Sequence, residues 1–160
     1  MPSWHAEDMT DSADHGVDGA DGADGADDGA AAPDPDELLE LWARVFGLAR
    51  EGQSETLAAY VDAGVSPNLT NDRGDTLVML AAYHGHVETV RALLQRGADP
   101  NRLNDRGQSP LAGAVFKDEP EVVRALLDGG ADPAAGQPSA LDTARMFGNS
   151  AMLALLRPEA

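Results

Sequence analysis

Two histidines on either side of a glycine, His84 and His86, are the residues whose type and spacing first suggest metal chemistry. Imidazole nitrogens are common zinc ligands, but a structural zinc site needs about four ligands. Neither a third histidine nor a group of carboxylates completes a set around this pair, and the chain has no cysteine. We therefore predict no metal site, and no motif indicates another cofactor.

The acidic repeat "DGADGADGADDGA" at residues 18–30 suggests calcium chemistry, because calcium prefers oxygen ligands. The candidate ligands are Asp18, Asp21, Asp24, Asp27 and Asp28. A calcium-binding loop needs ligands at alternating positions, a glycine at one fixed place and a closing bidentate glutamate, and that pattern is absent. Residues 1–33 are instead predicted to be a disordered acidic low-complexity tail, because they offer little apolar surface to bury.

Catalytic chemistry has one weak candidate, the stretch "GQSPLAG" at residues 107–113. It lacks the second glycine placement of a nucleophile elbow, and Ser109 has no candidate histidine and acid partners. The sequence also has no glycine-rich phosphate loop. We assign no catalytic residue and predict that the protein is not an enzyme, with an unrecognised active site as an alternative.

The formal charge of −17 is concentrated at one end of the 160-residue chain. Twelve of the 28 acidic residues precede residue 38, whereas the first lysine or arginine is Arg44. This balance disfavours nucleic acid as a partner, because the acids repel phosphates. No apolar stretch approaches the roughly 20 residues that span a bilayer, and no secretory signal is recognisable. We expect a monomeric cytoplasmic protein from a GC-rich bacterial genome, with translation starting at Met1 or Met9.

Helical structure is predicted to begin abruptly at "PDPDELLELWARVF". Asp34 is a candidate N-cap, and Pro35 suits the first helical position. Apolar residues then follow helical spacing along one face, and they are Leu38, Leu41, Trp42, Val45 and Ala49. We interpret Trp42 and Phe46 as the cover of a core end rather than the lining of a ligand pocket.

A period of 33 residues organises the rest of the chain. It separates Gly64, Gly97 and Gly130, and also the two "NDRG" runs at 71–74 and 104–107. A fixed period in the range of about 20 to 50 residues indicates stacked supersecondary units. Each unit contains a capped short helix, a tight turn and a second helix that ends at a glycine. The caps are Thr76, Ser109 and Ser139, and the turns lie at Gly85, Asp118 and Gly148.

Two stretches, "GDTLVMLAAYHGHVETVRALLQRGADPN" (74–101) and "GQSPLAGAVFKDEPEVVRALLDGGADP" (107–133), resemble ankyrin repeats. Leu77 and Met79 depart from the family's Pro and His. The resemblance covers about residues 38–157, and it implies an all-α solenoid of helix-turn-helix units with projecting hairpins. Within a domain at 34–157, we expect an N-cap unit at about 38–73, repeats at 74–106 and 107–136, and a C-cap unit at 137–157.

The resemblance also implies a partner-binding surface made of hairpin tips and exposed ends of the first helices. The tips supply Asp72, Arg73, Asp75, Asp105, Arg106 and Gln108, and the helices supply Arg50, Glu51, Tyr83, His84, Phe116, Lys117, Met146 and Phe147. We expect Tyr83, Phe116 and Met146 to form one exposed column beside basic residues. The predicted function is a protein-binding adaptor or regulator whose partner has an acidic surface. The alternative is an acidic tail that captures a basic protein.

Overall fold

A computed structural model describes residues 34–157, and the predicted tail at 1–33 lies outside this range. The described range contains eight helices and no strand. In chain order they are α1 (Pro35–Glu51), α2 (Ser54–Asp62), α3 (Leu77–Tyr83), α4 (Val87–Gln95), α5 (Pro110–Phe116), α6 (Pro120–Asp128), α7 (Ala140–Met146) and α8 (Ser150–Leu156). The all-α prediction is therefore confirmed.

Three of the first helices begin at the predicted hydroxyl caps. The side chains of Thr76, Ser109 and Ser139 each accept the backbone N–H three residues later, at 3.1, 3.0 and 3.0 Å. These bonds satisfy donors that the first helical turn leaves unpaired. Asp34 is the N-cap of α1 and Pro35 is its first residue, as predicted, but Asp34 caps the helix without a side-chain bond, and its backbone carbonyl accepts the N–H of Leu38 at 3.0 Å.

One or two residues after the end of each first helix, a residue with a positive φ turns the chain toward the second helix. Gly52, Gly85 and Gly148 have φ values of 76°, 79° and 62°, and Asp118 takes the same place with a φ of 59°. Aspartate is among the non-glycine residues that enter this region most readily. The Asp118 carboxylate also accepts a hydrogen bond of 3.1 Å from Asn149 Nδ2. The tight turns lie where the sequence predicted them.

The helices stack in two layers. The first helices α1, α3, α5 and α7 contact each other in that order, and the second helices α2, α4, α6 and α8 do the same. All seven residues of α3 are buried, because this helix lies between α1 and α5 and against α4. A single helix pair has too little partner surface to bury its apolar face, so each unit covers the next.

The α1 helix closes one end of this core. Phe46 is 4% exposed, while Leu41 and Trp42 are half-buried and pack against the core. The interpretation of Trp42 and Phe46 as the cover of a core end is therefore confirmed.

Neighbouring units are also joined through their hairpins. The Asp105 N–H donates to the carbonyl of Arg73 at 3.0 Å, and the Gln137 N–H donates to the carbonyl of Gly107 at 2.9 Å. On the loops that follow the second helices, Asn68 and Asn101 each bridge to the next unit. The Asn68 side chain donates to the Gly97 carbonyl and accepts from the Asp99 N–H, and the Asn101 side chain pairs with Gly130 and Asp132 in the same way. Asn68 and Asn101 are 33 residues apart, so the repeat period could have indicated these equivalent bridges between units, which the sequence analysis did not predict.

Candidate partner-binding surface

The C-terminal ends of the first helices form one continuous row across the stack. In each unit the row contains the two residues just before the left-handed turn residue. These pairs are Arg50 and Glu51, Tyr83 and His84, Phe116 and Lys117, and Met146 and Phe147. We call these eight residues the helix-end row. The stacking of α1, α3, α5 and α7 brings together residues that the sequence separates by about 30 positions.

Side chains in the row contact each other from one unit to the preceding unit. The Lys117 Nζ lies 4.9 Å from the centroid of the Tyr83 ring, in a cation–π contact. The Phe147 ring lies 5.7 Å from the Phe116 ring, with an interplanar angle of 66°. In both pairs, the residue directly after one first helix contacts the last residue of the first helix in the preceding unit. These contacts connect the row from the second unit to the fourth.

Tyr83 corrects part of the sequence prediction. Its side chain is 3% exposed, because α3 is buried between its neighbours and Lys117 lies over the ring. The expected exposed column of Tyr83, Phe116 and Met146 is therefore wrong at its first member. Phe116 is half-buried, whereas Met146 and Phe147 are 49% and 50% exposed. The accessible apolar surface lies at the C-terminal end of the row.

The other end of the row is basic. Arg50, His84, His86 and Lys117, which we call the basic cluster, come from the ends of α1, α3 and α5 and the turn after α3. The His86 Nε2–H donates to the Arg50 carbonyl at 2.8 Å, and the His84 and His86 rings stack at 6.4 Å. Burial lowers the pKa of His84, and the charges of His86, Lys117 and Arg50 lower it further. These effects favour the neutral form of His84.

Four of the predicted hairpin residues lie where a partner could reach them. Asp72, Asp105 and Arg106 are exposed, and Arg73 is half-buried. Each tip has an asparagine before it, Asn71 or Asn104, whose side-chain oxygen accepts the N–H groups two and four residues later. These bonds hold the tip in a fixed conformation without using the exposed side chains.

The prediction that Asp75 and Gln108 are exposed at the tips is wrong. Their exposed fractions are 1% and 4%. The Asn104 Nδ2 donates to Asp75 Oδ1 at 2.9 Å and to Gln108 Oε1 at 2.8 Å. The first bond links the two hairpins, and the second lies within the hairpin of Asn104 and Gln108. Burial raises the pKa of Asp75, and the hydrogen bonds from Asn104 and Asn71 oppose that shift. These two residues contribute to stability and cannot contact a partner in this conformation.

Comparison with known sequences identifies the family. The family model described as ankyrin repeats (3 copies) matches residues 46–137. The chain belongs to the ankyrin-repeat family. A Pseudomonas aeruginosa protein named as an ankyrin repeat protein is 45% identical over 56 residues. That match spans 33% of this chain and 33% of the relative, so the two proteins share about a third of their lengths.

Ankyrin repeats generally mediate protein–protein interactions, and they are typically not enzymes. Among residues 34–157, no group of three or more His, Cys, Asp or Glu side chains is arranged to hold a metal ion. Within the same range, no helix is both long and apolar enough to cross a membrane.

Proposed function

We propose that the helix-end row and the exposed hairpin tips bind a partner protein, in the role of a cytoplasmic adaptor or regulator. The observation that supports this proposal most is the exposure of Met146 and Phe147 beside half-buried Phe116. Large apolar side chains that are exposed together on a folded surface commonly mark an interaction site. Aromatic residues with a basic neighbour are also frequent among the residues that dominate binding energy.

The charge of the row favours a partner with an acidic surface. Lys117 is exposed next to Phe116, and Arg106 is exposed on the neighbouring hairpin. Cations around an apolar contact attract acidic partners and disfavour basic ones. We assign the apolar end of the row to affinity and its basic end to the choice of partner.

The test compares apolar residues at two exposed places. Replacing Met146 and Phe147 together by alanine should weaken binding of the captured partner by about 2 kcal/mol, or roughly thirtyfold in Kd. Leu103→Ala is the matched control, because Leu103 is 41% exposed but lies outside the row. Titration calorimetry measures Kd, and thermal melting shows that both variants remain folded. Equal affinity of the double variant and the control would contradict the proposal.

A second candidate function uses the acidic tail as the binding element for a basic protein. It is favoured by the charge distribution, since twelve acidic residues precede residue 38. Replacing the aspartates of the 18–30 repeat by asparagine, in the full chain, distinguishes the two functions. A loss of partner binding in that variant, with no loss in the Met146 and Phe147 variant, would assign recognition to the tail.

A further inference from the structure

The helix-end row combines two chemistries in a fixed order. The basic cluster lies at and beside the first three helix ends, and the apolar contact between Phe116 and Phe147 joins the last two. Glu51 and Asp118 follow Arg50 and Lys117 directly in the chain, and the Glu119 carboxylate lies against Gly85, where a Cβ atom would be 2.9 Å from its Oε2. A ligand that carries a carboxylate and a large apolar side chain would match both the Lys117 ammonium and the Phe116–Phe147 contact.

Lys117 and His84 mark the place where a carboxylate would fit. Within residues 34–157, the Lys117 ammonium contacts the face of the Tyr83 ring rather than a carboxylate. The Nε2 atom of His84 is buried and has no hydrogen-bond partner among the described residues. The His84 and Tyr83 rings are 5.4 Å apart, so the lysine, tyrosine and histidine form one contiguous patch. A carboxylate placed at this patch would be attracted by the Lys117 ammonium.

The chain itself contains a segment of the matching chemistry. Residues 4–14 read "WHAEDMTDSAD" and combine Trp4 and Met9 with four carboxylates, those of Glu7, Asp8, Asp11 and Asp14. This segment contains no lysine or arginine. Trp4 supplies the aromatic surface that suits Phe116 and Phe147, and the acids suit the basic cluster. The Asp-Gly-Ala repeat at 18–30 then connects this segment to α1.

The length of the chain allows this contact. The α1 helix has 17 residues and is therefore about 25 Å long, from the first described residue to the basic cluster. The residues between 14 and 34 can extend to about 60 Å, which is more than twice that length. A tether of this kind keeps the segment at an effective concentration on the order of 1 mM. Even a weak attraction would then occupy the row for much of the time.

We propose that residues 4–14 of the same chain bind along the helix-end row, with Trp4 at Phe116 and Phe147 and the acids at the basic cluster. The segment then competes with any partner for this surface, so the N-terminal segment regulates access to the stack. The proposal uses the surface of the proposed function, but its test requires no partner. A failure of one is therefore distinguishable from a failure of the other.

The experiment follows the fluorescence of Trp4 in the full chain. The sequence has two tryptophans, and Trp42→Phe leaves Trp4 as the only one. We expect Trp4 to emit at shorter wavelength and to be protected from acrylamide, because it packs on other rings. In the same background, Lys117→Glu combined with Phe147→Ala should raise the quenching constant by about threefold or more, since the bound segment is released. Salt at about 0.5 M should act in the same direction by screening the charges.

The matched control is Arg124→Glu combined with Leu103→Ala. It makes the same change in charge and the same kind of apolar truncation, at exposed positions outside the row. This control should leave the quenching constant unchanged. The proposal is overturned if Trp4 is quenched as strongly as in a free peptide of residues 1–20, or if the control acts as strongly as the row variant. Protection that appears only at high protein concentration would also overturn it, because the segment of a second copy would then occupy the row.

A second measurement avoids the Trp42 substitution, which affects a side chain packed against the core. It follows the ring protons of His84 by NMR during a pH titration of the full chain, with His84→Gln for assignment. Replacing the four acids of residues 4–14 by their amides should lower the pKa of His84 further, because the nearby carboxylates are lost. An unchanged pKa in this variant would count against the proposal whatever the fluorescence result.

Discussion

The two hairpins that contain the residues Asn-Asp-Arg-Gly, at 71–74 and 104–107, have the same backbone conformation but different neighbours. Gly74 and Gly107 have φ values of 79° and 76°. A Cβ atom on Gly74 would lie 2.8 Å from the backbone nitrogen of Asp105, whereas the nearest atom to a Cβ on Gly107 is the Gln137 carbonyl oxygen at 4.0 Å. Local sequence thus specifies the shape of each hairpin, and the next hairpin in the stack determines how much change each one tolerates.

The largest expected effect separates these two glycines. Both Gly74→Ala and Gly107→Ala place a side chain at a positive φ, which costs about 1 to 2 kcal/mol. Gly74→Ala also displaces the backbone of Asp105, whose N–H donates to the Arg73 carbonyl at 3.0 Å, so its total loss should reach about 4 kcal/mol. Urea unfolding at pH 7 measures both free energies. Equal losses in the two variants would mean that the hairpins adjust to each other more easily than their contacts indicate.

The two asparagines should differ by a smaller amount. Both Asn71 and Asn104 accept two backbone N–H groups of their own hairpin. Only Asn104 also donates short bonds, to Asp75 and Gln108, whereas Asn71 Nδ2 is 3.5 Å from Asp75 Oδ2. Asn104→Ala should therefore cost about 3 kcal/mol and Asn71→Ala about 1 kcal/mol, because the first leaves buried polar groups unpaired. If Asn71→Ala were the more damaging change in urea unfolding, the bonds between hairpins would be less important than those within them.

The smallest expected effect is a pH dependence that one hairpin has through Asp75 and the other lacks at the equivalent Gln108. Burial raises the pKa of Asp75 above 3.8 in the folded protein, so the folded state binds this proton more readily than the unfolded state. The contribution that the protonated Asp75 side chain makes to stability is complete below pH 3.8, and it is lost as the pH rises through the pKa of Asp75 in the folded protein. The stability of the natural protein relative to Asp75→Asn should therefore rise as the pH falls from 7 toward 4.

Unfolding by urea at several pH values measures this difference. Asp72→Asn is the reference for the change in net charge, because Asp72 is an exposed carboxylate of the same hairpin. A difference between the natural protein and Asp75→Asn that stays constant with pH, or falls as the pH falls, would contradict the assigned direction.

Features that depend on neighbouring residues in the chain were predictable from sequence. The hydroxyl caps at Thr76, Ser109 and Ser139 and the turns at Gly85 and Gly148 act within a few residues, so the one-dimensional pattern contains their physical cause. The 33-residue period extended that information to the stacked architecture, because repeated local structure with one apolar face has to pack against its own copies. The position of Asp34 as the N-cap of α1 was predictable in the same way, although its side chain makes no capping bond.

The exposure of individual surface residues was decided by the tertiary structure. Tyr83, Asp75 and Gln108 each follow the pattern of a binding position, but all three are buried, Tyr83 and Asp75 by contacts with the next unit and Gln108 with a bond inside its own hairpin. Lys117 lies over Tyr83, and Asn104 binds both Asp75 and Gln108. The sequence by itself determined where each helix, turn and hairpin lies. The contacts between consecutive units determined which of their residues remain exposed, because burial depends on distances across the stack that no local pattern encodes.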